Sequence, residues 1–166
     1  MAKVFVVYES KYGNTGNVAK EIIEGLNEAE GIEVLLKELK KADLEEVQNY
    51  DVLLIGSPNH IGGSTRGIRK FIDKLDELQL NRKFFAVFDT YLGGDFKKAA
   101  EKMEKQVSEK APEMRRLLPG LSIKVEGLKG PVADGEFSKC REFGREIVIK
   151  LNQALGDENW TELKKP

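Results

Sequence analysis

The chain is predicted to fold as an α/β domain in which a doubly wound parallel sheet of five strands carries helices on both faces. Two features of the sequence lead to this fold class. Short apolar runs alternate with longer helical patterns five times along the 166 residues, as in parallel strands joined by crossover helices. The runs that begin at Val4, Val52 and Phe84 are almost free of polar residues, which is typical of strands covered on both faces.

Five strands are predicted from these runs. They span residues 4–8, 32–38, 52–56, 84–89 and 122–125. The second run differs from the first, third and fourth because Glu33, Lys37 and Glu38 interrupt its apolar residues. A mixed strand of this kind suits a position nearer the edge of the sheet, where one side of the strand meets solvent.

Four helices are predicted from apolar residues that recur three and four positions apart. The first begins near Asn14 and carries Val18, Ile22 and Leu26 on one face. The others cover residues 68–78, 96–107 and 137–155, and Asp95 is expected to cap the third of the four. A weaker pattern predicts a short helix at 42–48. Residues 1–155 are therefore interpreted as one domain and residues 156–166 as a C-terminal tail.

Composition narrows the range of functions. The 27 basic and 28 acidic residues leave a net charge of −1, so no overall field would attract nucleic acid or an anionic membrane. The single cysteine, Cys140, cannot form a disulfide within the chain and lies on an apolar helical stripe, so we expect an inert core thiol and no metal site. No signal-peptide pattern and no run of about 18 apolar residues is present. These features predict a cytoplasmic protein without membrane insertion.

A loop of small and polar residues follows the first strand, with the sequence Ser10-Lys11-Tyr12-Gly13-Asn14-Thr15. A strand that enters a helix through such a loop presents backbone N–H groups and hydroxyls to an anion, and the helix dipole adds partial positive charge. The spacing matches neither the P-loop nor the dinucleotide-binding fingerprint. The loop therefore predicts a phosphate site of another kind.

Two further loops are expected beside this one, because open parallel sheets bind ligands outside the carboxyl ends of their strands. The loop after the third strand reads Gly56-Ser57-Pro58-Asn59-His60-Ile61-Gly62-Gly63-Ser64, and the loop after the fourth reads Asp89-Thr90-Tyr91-Leu92-Gly93-Gly94-Asp95. Three glycine-bearing loops at adjacent strand ends indicate a binding site more specifically than any one of them does.

The chain resembles the flavodoxin family over most of its length. The first loop with its preceding strand residues, Val7-Tyr8-Glu9-Ser10-Lys11-Tyr12-Gly13-Asn14-Thr15, is similar to the phosphate loop of flavodoxins. Residues 50–58 resemble their third strand and the loop that leaves it, and residues 140–145 resemble their last helix. The resemblance implies the strand order 2-1-3-4-5 and FMN as the cofactor; the order is the one established for flavodoxin itself.

By this resemblance, Ser10, Tyr12, Asn14 and Thr15 hold the FMN phosphate. The stretch 58–63 lies along one side of the isoalloxazine ring and residues 89–91 along the other, with Tyr91 the candidate for a stacked aromatic side chain. The full set of cofactor-binding residues implied is Ser10, Lys11, Tyr12, Gly13, Asn14, Thr15, Pro58, Asn59, His60, Ile61, Gly62, Gly63, Asp89, Thr90, Tyr91 and Gly94. No residue is assigned a catalytic role.

The second loop combines one feature of the family with two departures from it. The resemblance implies that the peptide flanked by Gly62 and Gly63 rotates to offer a carbonyl to flavin N5, which glycine permits at little steric cost. Many flavodoxins carry strong negative charge and an aromatic residue here. This chain is nearly neutral, offers His60 or Ile61 at that place, and continues with Arg66 and Arg69, so its field opposes a negatively charged reduced flavin less.

Three functions remain open at this stage. The first is an FMN-binding electron carrier that shuttles electrons between a reductase and an acceptor protein. The second is an FMN-dependent NAD(P)H or quinone oxidoreductase, which needs an open substrate site over the flavin. The third is a flavin-binding regulatory protein. The absence of a nicotinamide-binding motif and of a long inserted lid favours the carrier.

Overall fold

A computed structural model of the chain describes residues 2–156. Met1 and residues 157–166, which include most of the predicted tail, lie outside the described residues. The strands are β1 (Ala2–Tyr8), β2 (Ile32–Glu38), β3 (Val52–Pro58), β4 (Phe84–Tyr91), β5 (Arg115–Arg116) and β6 (Leu121–Lys124). The helices are α1 (Asn14–Leu26), α2 (Arg66–Asp73), α3 (Lys98–Lys110) and α4 (Glu136–Leu155), with 3₁₀ turns at Leu39–Lys41, Leu44–Asn49 and Lys74–Glu77.

The strands form one parallel sheet in the order β2-β1-β3-β4, and β5 and β6 share the fifth position beside β4. Val6 of β1 stands opposite Leu54 of β3, which in turn stands opposite Ala86 of β4. The predicted order 2-1-3-4-5 is confirmed. The fifth strand is divided, since β5 pairs with the beginning of β4 and β6 with its end.

Successive residues of the central strands enter two separate cores. Val4 and Val6 of β1 pack with α1 and α4 on one face of the sheet, whereas Phe5 and Val7 pack with α2 and α3 on the other. All four of these β1 side chains are fully buried. A strand with a core on each side needs apolar residues at every position, which explains the unbroken runs. At the edge, β2 is only partly buried, as its mixed sequence predicts.

Three helix predictions need adjustment. The pattern over residues 68–78 corresponds to α2 followed by a 3₁₀ turn, and the weak pattern at 42–48 is a 3₁₀ helix, Leu44–Asn49, whose first turn is capped by Asp43. The third prediction, that Asp95 caps the helix after it, is wrong. The carboxylate of Asp95 lies 3.3 Å from Lys98 Nζ, while Lys97, at φ 63°, forms the helix boundary.

The reason for the later start of α3 is tertiary. The backbone N–H of Lys97 donates to Ser122 Oγ at 2.9 Å, which ties the helix start to β6. A left-handed residue cannot continue a right-handed helix, so Phe96 stays outside α3 and remains 54% exposed. Cys140 is fully buried in α4, and burial raises the pKa of its thiol to about 12, in agreement with an inert core residue.

Candidate cofactor cleft

Four loops meet at the carboxyl edge of the sheet and enclose one open cleft. They follow β1, β3, β4 and β6, and the space between their atoms is about 630 Å³, including solvent at the mouth. The residues that line the cleft are Ser10, Lys11, Tyr12, Asn14, Thr15, Pro58, Asn59, His60, Thr90, Tyr91, Leu92, Val125 and Leu128. The three loops predicted from the sequence are therefore brought together at one site.

The first loop ends at the N-terminus of α1 in a form suited to an anion. Gly13, at φ 91°, immediately precedes the helix, and its N–H donates to Ser10 Oγ at 2.9 Å. The N–H groups of the next three residues, Asn14, Thr15 and Gly16, have no acceptor among the residues described, and the first turn contains no acidic residue. Unpaired donors at the positive end of a helix dipole provide a site for phosphate.

Contacts from distant segments fix this anion site in place. Thr15 and Thr90 are both buried, and their hydroxyl oxygens lie 3.1 Å apart, which joins the first loop to β4. On the other side, Gly130 packs against Asn14 so closely that a Cβ there would lie 2.3 Å from Asn14 Oδ1. Gly130 also has φ 89°, so glycine is required at that position for both conformation and space.

The second loop is held by Asn59. Its side-chain amide donates to the Thr90 carbonyl at 2.9 Å, and its Oδ1 accepts the Ala99 N–H at 2.9 Å. Two residues earlier, Ser57 Oγ accepts the Thr65 N–H at 3.0 Å. Asn59 thus connects the loops after β3 and β4 with the start of α3, while part of its side chain faces the cleft.

Beyond Asn59 the second loop forms a two-residue hairpin turn. The His60 N–H donates to the Gly63 carbonyl at 2.7 Å, and the Gly63 N–H donates to the His60 carbonyl at 3.1 Å. Between them, Ile61 and Gly62 have φ of 53° and 72°, the positive values that a type I′ turn requires. Ile61 is β-branched and fully exposed, so its left-handed backbone is strained.

The same hydrogen bonds distinguish the two peptides at the tip of the turn. The Gly62–Gly63 peptide is held because its N–H is paired with His60, whereas the Ile61–Gly62 peptide has no backbone partner among residues 2–156. The peptide without a backbone hydrogen bond therefore lies one residue before the one that the flavodoxin resemblance assigns, and the rotation of either peptide stays a prediction. Neither residue of this turn tip lines the cleft.

Aromatic rings supply the apolar part of the cleft. Tyr12 is 40% exposed, and Tyr91 is half-buried with its ring edge-on to Phe96 at 5.2 Å between centroids. Two partly exposed tyrosines in one cleft suit a flat, amphipathic ring. Both rings line the cleft, and the stacking of Tyr91 on a flavin stays a prediction.

Asp89 lies behind the cleft and not on its wall. It is fully buried, where its carboxylate accepts the Ser122 hydroxyl at 2.5 Å and the Ala100 N–H at 2.9 Å. Burial raises the pKa of this carboxyl group, although the hydrogen bonds act in the opposite direction. Asp89 therefore joins β4 to β6 and α3. Gly13, Gly63 and Gly94 also stand outside the lining.

The sequence analysis missed three lining residues: Leu92, Val125 and Leu128. The last two belong to a loop after β6, which doubles back through Glu126 N–H to the Pro131 carbonyl and Ala133 N–H to the Lys124 carbonyl. The sequence could have indicated this loop, because ligands bind outside the carboxyl ends of parallel strands and the loop follows the strand in the fifth position. Within the described residues, no cluster of His, Cys, Asp and Glu could hold a metal ion, and no helix could span a membrane.

A family model and two curated relatives agree on the family that this chain resembles. The family model described as "Flavodoxin domain" matches residues 5–121. The flavodoxin of Aquifex aeolicus (strain VF5) is 38% identical over 73 residues, which cover 44% of this chain and 40% of that protein. The flavodoxin of Clostridium saccharobutylicum is 33% identical over 88 residues, which cover 53% and 55% respectively. The chain thus spans about half the length of these curated relatives.

A solved structure matches over a longer range. Oxidised flavodoxin 2 from Bacillus cereus superimposes with a TM-score of 0.77 at 28% identity, covering 90% of this chain and 99% of that one. The match therefore covers nine-tenths of this chain and almost all of that one.

Proposed function

The chain belongs to the flavodoxin family, and on this premise we propose that it binds FMN non-covalently and carries electrons between redox proteins. The observation that carries the proposal is the start of α1, where three unpaired N–H groups meet a cleft that also contains two tyrosine rings. An anionic phosphate and a flat aromatic ring on one ligand match the two halves of this site. When bound, FMN supplies the electron-transfer chemistry, and the protein supplies position and electrostatics.

In this proposal the residues of the first loop bind the phosphate of FMN. Ser10, Asn14 and Thr15 contribute side chains, and the helix start contributes backbone donors. Tyr91 and the 58–63 stretch flank the ring in this proposal, and Asp89 acts from behind by holding β4, β6 and α3 together. The cofactor-binding domain corresponds to residues 1–155, and its partners are a reductase and an acceptor protein.

The openness of the cleft supports a carrier over an enzyme. The segments that connect β1 to α1, β3 to α2 and β4 to α3 are short, and within residues 2–156 no inserted segment covers the cleft. Leu92 and Leu128 are 43% and 73% exposed at its wall. An apolar rim of this kind suits brief contact with another protein. The cytoplasm is the proposed location of the carrier, and a buried free thiol is compatible with such a reducing compartment.

Cofactor binding and the direction of electron flow can be tested separately. Isothermal titration of apoprotein with FMN should give one site, with the flavin absorbance bands appearing in the complex. Stopped-flow reduction by NADH and NADPH, with and without a quinone, then distinguishes the functions. A carrier should react slowly with either nucleotide alone and rapidly when a flavin-containing reductase is added.

Two results would reject the carrier. Direct hydride transfer with turnover on the order of 10 s⁻¹, a value typical of enzymes, would establish the NAD(P)H or quinone oxidoreductase instead. Stoichiometric FMN binding without electron exchange with any reductase would favour the flavin-binding regulatory protein.

A further inference from the structure

A basic hollow lies beside the cofactor cleft, between the His60–Gly63 turn, the start of α2 and one face of α3. Its charged lining consists of Arg66 and Arg69 from α2 and Lys102 from α3. His60 belongs to both the hollow and the cleft, so the two are continuous. We use the term basic hollow for the surface formed by Arg66, Arg69 and Lys102.

Among the residues that the structure describes, none of the three cations of the basic hollow forms an ion pair. Within the same part of the chain no carboxylate lines the hollow. Arg69 donates to the Ser64 carbonyl, a neutral acceptor. Two carboxylates lie near the hollow: Asp73 accepts at 2.8 Å from Gln106, which lines the hollow, and Glu9 Oε1 lies 2.8 Å from where a Cβ on Gly67, next to Arg66, would be. Among the described residues neither carboxylate pairs with Arg66, Arg69 or Lys102, and Asp95 pairs with Lys98 at 3.3 Å.

An exposed apolar tip adjoins this charge. Ile61, which is fully exposed at the end of the hairpin turn, forms part of the wall of the hollow. The turn packs on the lysine stems of α3: a Cβ at Gly63 would lie 3.6 Å from Lys102 Cδ, and a Cβ at Gly62 would lie 3.6 Å from Lys98 Cδ. An apolar anchor next to unpaired cations has the composition of a protein-docking surface.

We propose that the basic hollow and Ile61 form the docking surface for an acidic redox protein, which presents carboxylates around an apolar centre. This inference rests on the proposed function, because it names the chemical character of the electron-transfer partner. The chain as a whole is nearly neutral, so attraction comes from this local patch. Its position beside the cleft brings a docked partner close to the cofactor.

The geometry favours a protein partner over a small anion. Arg66, Arg69 and Lys102 are exposed side chains on two separate helices, and the Arg69 guanidinium already donates to the Ser64 carbonyl. Small phosphate ligands are usually bound by converging backbone donors and bidentate arginines, as at the start of α1. Dispersed surface cations instead steer the approach of a large partner of opposite charge.

The test uses the FMN-loaded full chain and an acidic plant-type [2Fe–2S] ferredoxin as the probe. Isothermal titration of the two oxidised proteins at low ionic strength measures docking without electron transfer, and stopped flow with reduced ferredoxin measures the transfer rate. The test variant is the double charge reversal Arg66→Glu with Lys102→Glu. The matched control, Lys20→Glu with Lys150→Glu, makes the same charge change at exposed positions on α1 and α4, on the opposite face of the sheet.

We expect the test variant to bind ferredoxin about tenfold more weakly and to accept its electrons about tenfold more slowly at low salt, whereas the control stays within about twofold of the parent. The difference should shrink as salt is added. Basic cytochrome c should respond in the opposite direction and dock more tightly on the test variant. Ile61→Ala should weaken docking without changing the salt dependence.

Other outcomes overturn the inference. If the test variant takes up FMN normally and still binds ferredoxin with the parent affinity, the docking surface is wrong while the proposed function stands. If ferredoxin binding is unaffected but inorganic pyrophosphate binds at one site that the test variant loses, the hollow is a small-anion site. Failure of the parent to take up FMN, which is visible before any partner is added, rejects the proposed function itself and the inference with it.

Discussion

The hydroxyl oxygens of Thr15 and Thr90 lie 3.1 Å apart in the buried floor of the cleft. Thr15 belongs to the first turn of α1, and Thr90 is near the end of β4 on the far side of β3. This contact joins the anion site of the first loop to the end of β4, which carries Tyr91. The proposed contacts with the phosphate and with the ring are therefore joined by one buried hydrogen bond.

The first prediction concerns discrimination between FMN and riboflavin. The double change Asn14→Ala with Thr15→Val should lower FMN affinity by roughly two to four orders of magnitude, because hydrogen bonds to a charged group contribute roughly 1.5–3 kcal/mol each. Riboflavin has no phosphate, so its weaker binding should change little. Isothermal titration of apoprotein with both ligands measures the effect, and Asn17→Ala, at an exposed position of α1, provides the control. An equal loss for both ligands would mean that the cleft is distorted and that the loop is not a phosphate site.

The second prediction concerns strain in the hairpin turn. Ile61→Gly should raise the free energy of unfolding by about 1 kcal/mol, because a left-handed conformation costs an L-residue roughly that amount. Gly62→Ala should lower it by a similar amount, since Gly62 has φ 72°. Gly63 lacks a positive φ, and its nearest neighbour to an added Cβ lies at 3.6 Å, so Gly63→Ala serves as the control. Chemical denaturation measures all three, and equal effects at Gly62 and Gly63 would contradict the turn assignment.

The third prediction compares the same Gly62 and Gly63 variants in the FMN-loaded protein. If the Ile61–Gly62 peptide supplies the carbonyl for flavin N5, Gly62→Ala should change the first one-electron reduction potential of the FMN-loaded protein, because the rotated peptide becomes strained. Gly63→Ala should leave that potential near the parent value. Redox titration followed by absorbance measures both. The peptide flanked by Gly62 and Gly63 would be the relevant one if Gly63→Ala caused the larger shift.

The fourth prediction follows from the buried carboxyl group of Asp89. Burial raises its pKa above the ordinary value of 3.8, so the folded state retains a proton that the unfolded state loses as the pH rises. The stabilising effect of this proton is complete below the unfolded pKa and is lost as the pH rises through the folded one. The Asp89→Asn variant should therefore be least stable relative to the parent in acid, and the gap should narrow towards neutral pH.

Denaturant titrations of Asp89→Asn and the parent over that pH range test the sign. Asp89→Ala should cost about 2–4 kcal/mol, since the Ala100 N–H and the Ser122 hydroxyl lose a buried acceptor. Its cost should be largest in acid, as for Asp89→Asn, because both changes remove the same titrating group. A gap between parent and Asp89→Asn that widens as the pH rises would show that the ionised carboxylate is the stabilised form.

The fifth prediction concerns the contact between α1 and α4, which depends on two glycines. A Cβ at Gly25 would lie 2.0 Å from the Arg141 carbonyl oxygen, and one at Gly144 would lie 2.2 Å from the Ile22 carbonyl oxygen. Gly25→Ala and Gly144→Ala should each lower the free energy of unfolding by about 3 kcal/mol, because the backbones must separate. Gly127→Ala, where the nearest atom is 3.8 Å away, should have little effect. Thermal and denaturant unfolding of the three variants provide the measurement.

The fold class, five of the six strands and three of the four loops around the cleft could be predicted from the sequence alone, whereas the short β5 could not. These features have local causes. A strand between two helical layers must be apolar at every position, as in β1, and a helix must repeat its apolar residues every three to four positions. The carboxyl edge of a parallel sheet then assembles the loops after β1, β3 and β4, whatever their individual contacts are.

The contacts that individual residues make at this edge depend on the tertiary structure. Asp89 contacts Ser122 and Ala100 instead of lining the cleft. The backbone N–H of Lys97 donates to Ser122, so α3 begins after Lys97 and Asp95 does not cap it. Such roles depend on contacts across 11 to 33 residues of chain, and no local pattern records them. The basic hollow has the same origin, because Arg66 and Lys102 become neighbours only when α2 and α3 pack side by side on one face of the sheet.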